Sequence, residues 1–159
     1  MWTKRNFNSE KELNIYIKNI EKLIRGSLEY KEWLQHIRTL GGWKCKISNV
    51  TLEQASIEIH HTPYTLYDLV EIIIYNQSEN FCTFSIAQQI MSLHFNDLVG
   101  WVSLTKTIHE QVHNENIILP FNILTGNFSK FEYLYSIPID ITERINYRIE
   151  KMKKENNIL

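Results

Sequence analysis

From Glu10 onward, apolar residues fall at Leu13, Tyr16, Ile17, Ile20 and Ile24, a spacing that gathers them on one face of a helix. Ser9 followed three residues later by Glu12 is a capping-box start, and Gly26 is a stop. A second helix is expected through YKEWLQHIRTL, with Trp33, Leu34, Ile37 and Leu40 on one face and Gly41-Gly42 at its end. The period then changes. WKCKIS and ASIEIHH alternate apolar and polar residues and read as two short strands joined by NVTLEQ. Beyond Pro63, TLYDLVEIIIYNQ and FSIAQQIMSLHF return to helical spacing, although the β-branched EIII run is a weak helix former. VGWVSL is a short extended run, after which Ser103 or Thr105 caps a helix reaching about Asn114. A turn at Gly126 precedes a last helix, ITERINYRIEKMKK, opened by Asp140 and Glu143 and rich in late cations, which suits the helix dipole. The pattern predicts a mostly helical protein with a small β element in its middle.

Composition narrows this picture in three ways. At 159 residues the chain suits one domain with a proper core. No apolar run approaches the roughly 18 residues that cross a bilayer, and MWTKRNFNSE lacks the apolar segment of a signal peptide, so a cytoplasmic, non-membrane protein is expected. Cys45 and Cys82 are too few for a disulfide framework or a four-cysteine zinc knuckle and read as buried reduced thiols. The net charge of −1 hides an asymmetry. Residues 1–46 carry +5, residues 47–129 carry −7 and residues 130–159 carry +1. A basic N-terminal layer could meet phosphates, or could be an ordinary solvated helical surface.

Histidines supply the candidate chemistry. His109 and His113 are four apart on a predicted helix, so both rings leave the same face about one turn apart and can share one metal ion. His60 and His61 stand together at the end of a predicted strand, where neighbours point to opposite faces. One of them can join a metal while the other does something else. Neutral imidazole, which titrates near physiological pH, suits a base that deprotonates water. His36 is read as a surface or packing residue and His94 as a polar helix end.

The run IEIHH followed by GWVSLTKTIHEQVH resembles the signature of the HNH, or ββα-metal (His-Me finger), nucleases, and most closely their phage-type members. In that family a strand ends in a His-His or Asp-His pair, and a second strand leads into a helix bearing His-x-x-x-His. CKISNVTLEQASIEIHH is similar to the segment before the pair, so the resemblance covers about residues 43–116. It implies an α+β fold: a mostly helical single domain around a small ββα-metal core. Residues 1–42 would be a basic helical layer, 43–116 the core with a helical insertion at 64–96, and 117–159 a helical extension. It further implies His60, His109 and His113 as ligands of one divalent ion (Zn²⁺, or Mg²⁺, Mn²⁺ or Ni²⁺) and His61 as the general base. Three imidazoles favour the transition metals over Mg²⁺.

The implied activity is hydrolysis of DNA phosphodiester bonds. The basic helices, with Arg38, Lys44, Lys46 and Lys106, would hold the DNA backbone. Two features depart from the family pattern. Its central Asn, nine residues before the first helix His, falls here on Gly100, with Asn96 and Asp97 nearby in sequence. Its paired Cys-x-x-Cys knuckles are also missing, with Cys45 as a remnant. The same residues admit a second reading, a catalytically silent HNH-like protein whose histidines hold a structural zinc or merely pack and which binds a host protein or DNA. The insertion is read as scaffold or as a subunit interface, for example of a homodimer. FSKFEYLYSIPI is read as core in preference to interface. An Ile-, Asn- and Lys-rich composition, with the resemblance, suggests a phage origin and hence the host cytoplasm.

Overall fold

The computed structural model describes residues 7–41, 43–78 and 81–156. Gly42 and the basic Lys4 and Arg5 fall outside the described residues. The elements, in order, are α1 (Glu10–Gly26), α2 (Leu28–Thr39), β1 (Ile57–His61), α3 (Leu66–Tyr75), α4 (Thr83–Phe95), β2 (Trp101–Thr105), α5 (Lys106–His113), the 3₁₀ turns Phe121–Ile123 and Phe128–Tyr133, and α6 (Ile139–Glu155). The fold is α+β and mostly helical, as expected. No helix among the described residues is long and apolar enough to cross a membrane.

Helix α1 begins where the Ser9 hydroxyl accepts from Glu12 N–H, and it buries Leu13, Ile17, Ile20 and Ile24, the face expected from their spacing. The Glu12 carboxylate accepts from Asn8 N–H, so the reciprocal half of the capping box is made one residue early. Helix α2 follows at once, with Ser27 as its cap, and buries Tyr30, Trp33 and Ile37.

The predicted insertion turns out to be the centre of the molecule. In α3, Leu66 and every residue from Leu69 to Ile74 except Glu71, itself buried but paired with Arg144, pack into the main core with α1 and α4. Burial on all sides explains how the EIII run is helical despite its weak propensity. Its capping box at Thr65 uses Asp68. That carboxylate, 1% exposed, also accepts from Arg144 at 2.8 Å and Arg148 at 2.5 Å, while Arg144 reaches Glu71 at 2.7 Å. A buried anion needs such partners. The network clamps α6 onto α3.

The β element differs from the expected hairpin. WKCKIS is no strand; residues 43–52 form a tight loop closed by Cys45 N–H to the Val50 carbonyl (2.9 Å) and by a single Lys44–Thr51 bridge. The partner of β1 is β2, antiparallel, with His60 opposite Val102 and His61 opposite Trp101. A period-two pattern marks strands but does not say which pairs with which. The ladder runs on through Thr62 N–H to the Gly100 carbonyl (3.1 Å). Cys45 is buried and free, whereas Cys82 is exposed, contrary to expectation. In FSKFEYLYSIPI, Phe131 is fully buried, while Tyr133 and Leu134 face solvent, so the segment is only partly core.

Candidate metal centre

Helix α5 starts directly after β2, with Thr105, and not Ser103, accepting from Ile108 N–H as its cap. The Ser103 hydroxyl instead donates to the Lys44 carbonyl. Because no residues separate strand from helix, α5 folds back over the β1–β2 pair. Glu58 and His60, two apart on β1, share the face that it covers. Strand, strand and helix thus stand in ββα order, with α3 and α4 inserted between the strands.

This arrangement brings His60, His109 and His113 together: one ligand atom from each lies within 4.8 Å of the others. His109 and His113 Nε2 are 3.0 Å apart. The His60 ring centre is 5.0 Å from each of the other two. Four-coordinate zinc with Zn–N bonds of about 2.0–2.1 Å sets ligand nitrogens ~3.3 Å apart, so a small closure of the trio accommodates an ion. The donor set therefore fits a transition metal. Glu58 Oε2 accepts from His109 Nδ1–H at 2.5 Å. That bond fixes the tautomer and leaves Nε2 unprotonated, facing His113 Nε2, as outer carboxylates do for metal-bound imidazoles. Burial, then the neighbouring His109 and His113, push the His60 pKa down to about 3, and burial lowers that of His113. Both rings are consequently neutral, the form that binds metal. Among the described residues no fourth histidine, cysteine or carboxylate joins the group. His60 and His113 open onto a cleft of about 420 Å³ between α5 and α6.

His61 lies elsewhere. It points to the opposite face of β1, is 4% exposed, and stacks on Trp33 with ring centres 5.9 Å apart. Its Nε2 meets His94 Nε2 at 3.0 Å, and His94 Nδ1 meets the Ile90 carbonyl at 2.7 Å. A carbonyl only accepts, so Nδ1 carries the proton of His94, and His61 Nε2–H donates to its partner. His61 Nδ1 is left buried with no hydrogen-bond partner. In this conformation His61 reaches neither the trio nor solvent, so the base implied by the resemblance is not in position. The cause is strand alternation together with the aromatic bed of Tyr30, Trp33 and Trp101. His94, expected as a polar helix end, is a core residue instead.

The residues assigned to DNA, Arg38, Lys44, Lys46 and Lys106, are exposed. Lys44 and Lys46 sit on the loop that bonds to β2 through Lys46 N–H and the Ser103 carbonyl. Lys106 opens α5, and the Arg38 guanidinium lies 4.3 Å from the centre of the Trp43 ring. None of the four lines the cleft, whose cations are Arg144, Arg148 and Lys151 of α6. Their spacing of four and three marks one helical face and was available in the sequence. Gly100, where the nuclease pattern has Asn, is packed so closely that an added Cβ would sit 2.1 Å from the Thr62 carbonyl oxygen.

No curated protein and no solved structure matches the chain. A family model does match, over residues 1–159; its description, Bacteriophage G278-like virion protein, bears out the expected phage origin and names no nuclease. The chain, whose trio of imidazoles joins β1 to α5, belongs to the bacteriophage G278-like virion protein family.

Proposed function

We propose that this virion protein carries one divalent transition metal on His60, His109 and His113 and hydrolyses phosphodiester bonds in nucleic acid. The observation that carries the proposal is the convergence of three imidazoles, two from α5 and one from β1, beside an open cleft. Structural zinc sites close with four protein ligands, whereas hydrolytic ones keep a position for water or substrate. A metal there would supply Lewis acidity and a water of lowered pKa. The chain's own part is to hold three neutral imidazoles in place, with Glu58 orienting His109, and to offer a cleft wall bearing cations. His61 has no part in this version of the site. Replacement of Glu58, a half-exposed residue, by alanine is expected to lower zinc affinity roughly tenfold to a hundredfold in a chelator competition. Unchanged affinity would mean that the carboxylate does not orient the ring.

A second reading, a catalytically silent metal-binding virion protein, is favoured by the burial of His61 and the packing of Gly100. One experiment separates the two. Metal content and plasmid nicking are measured for wild-type protein and His113→Ala, with Mg²⁺, Mn²⁺, Zn²⁺, Ni²⁺ or EDTA. Nicking that needs metal and disappears in His113→Ala supports the hydrolase. Stoichiometric metal without nicking supports the silent reading, and wild-type protein that binds no metal removes both.

A further inference from the structure

Helix α6 presents Arg144, Tyr147, Arg148, Lys151 and Met152 to the cleft, positions that share one helical face. The opposite wall is the end of α5 and the segment after it, which contributes the apolar Val112, Ile117, Ile118 and Leu119. His60, Thr62, Thr65 and His113 also line the cleft. One side is therefore mainly cationic, and the other is apolar apart from His113 and Glu115, whose carboxylate faces Lys151.

The cations differ in how far they are committed. Arg144 spends its Nε and Nη2 on Asp68 and Glu71. Arg148 uses only Nη1, on Asp68 and the Pro63 carbonyl. Lys151 has an exposed partner, Glu115, at 3.3 Å, a pairing that solvent screens. Arg148, held only through Nη1, and Lys151 are thus less committed than Arg144, whose Nη1 alone has no partner in this network, and they are a turn apart beside His60 and His113. The Tyr147 ring, 63% exposed, stands beside Lys151, with Nζ 5.0 Å from its centre. Cations with an adjacent aromatic ring, opposite a largely apolar wall, make the combination that holds single strands, where phosphates meet charge and bases stack on rings. The volume of about 420 Å³ lies in the small-ligand range of roughly 300–1,000 Å³ and suits one nucleotide.

We propose that the α5–α6 cleft binds one nucleotide unit of a single strand, its phosphate on Arg148 and Lys151 beside the histidines and its base on Tyr147. This deepens the hydrolase proposal and rests on it for the role of the bound phosphate, but the anchoring itself needs no metal.

The test is a titration of the full chain, in EDTA and with zinc, using a short labelled oligothymidine, the corresponding duplex, and inorganic phosphate. Lys151→Glu and Tyr147→Ala serve as variants, because both side chains are on the surface and circular dichroism can verify their folding. The single strand is expected to bind at least fivefold more tightly than the duplex, in EDTA as well as with zinc. Lys151→Glu should weaken oligothymidine at least tenfold and reduce the salt slope by about one. Tyr147→Ala should weaken oligothymidine and leave phosphate unchanged. Preference for the duplex, or variants that bind like wild type, would overturn the proposal. Failure to bind zinc sinks the metal reading alone, since the EDTA titration still decides this one.

Discussion

Gly100→Asn, the substitution that restores the nuclease pattern, is expected to unfold or severely destabilise the protein instead of improving any activity. The obstacle is backbone. An added Cβ would lie 2.1 Å from the Thr62 carbonyl oxygen and 2.9 Å from Phe128 Cδ1. The phenylalanine ring can turn, but the carbonyl is backbone of Thr62, the residue whose own N–H donates to the Gly100 carbonyl directly beyond His61 and Trp101. Relief would require parting the two strands there. Ordinary overpacking costs about 1–3 kcal/mol, and a backbone obstacle belongs at or above the top of that range. At about 2–4 °C per kcal/mol for a chain of this size, a melting temperature at least ~6 °C lower is expected. Gly100→Ala should show most of the same loss, because the clash begins at Cβ. A Gly100→Asn protein that melts with wild type would show that the strands can separate at this point.

Acid should loosen the protein through the His61–His94 pair. Burial, and then the charge of Arg25, depress the pKa of His94 to about 4 from its ordinary 6.5, against the opposing bond to the Ile90 carbonyl; burial drives that of His61 well below the ordinary value. The native state therefore binds fewer protons than the unfolded chain below pH 6.5. Stability is full above that pH and falls as the pH drops toward 4. For His94 alone the fall is roughly 3 kcal/mol, at about 1.4 kcal/mol per pH unit. Metal-free His60, depressed to about 3, adds in the same direction. Urea unfolding in EDTA at a series of pH values, for wild type and His94→Gln, reads the effect. A variant with a distinctly flatter dependence supports the account, and equal slopes would remove His94 from it.

Both effects come from residues whose surroundings sequence alone did not disclose. Helix α1 was legible to its cap because Ser9, Glu12 and the apolar face are all local features. The His-x-x-x-His helix and its junction with a strand were legible for the same reason, as was the phage origin that the family match supports. The strand partnership was not, since WKCKIS and VGWVSL both look extended and only packing chose the second. Nor was the central place of α3, whose EIII run argued against a helix until burial on every side outweighed its propensity.

The candidate centre divides along the same line. Sequence spacing by itself determined that His109 and His113 share a face and that His60 and His61 point oppositely, because helix and strand periods are local geometry. It could not determine which of the adjacent pair would meet the helix. Tertiary structure decided that His60 faces α5 and His61 sinks against Trp33 and His94. It also decided that the cations beside the trio come from α6 and not from Lys44 or Lys46, through the buried Asp68 that clamps α6 to α3 across 76 and 80 residues of chain. Contacts between parts of the chain so far apart leave no periodic mark in the sequence, and only the packed core selects them.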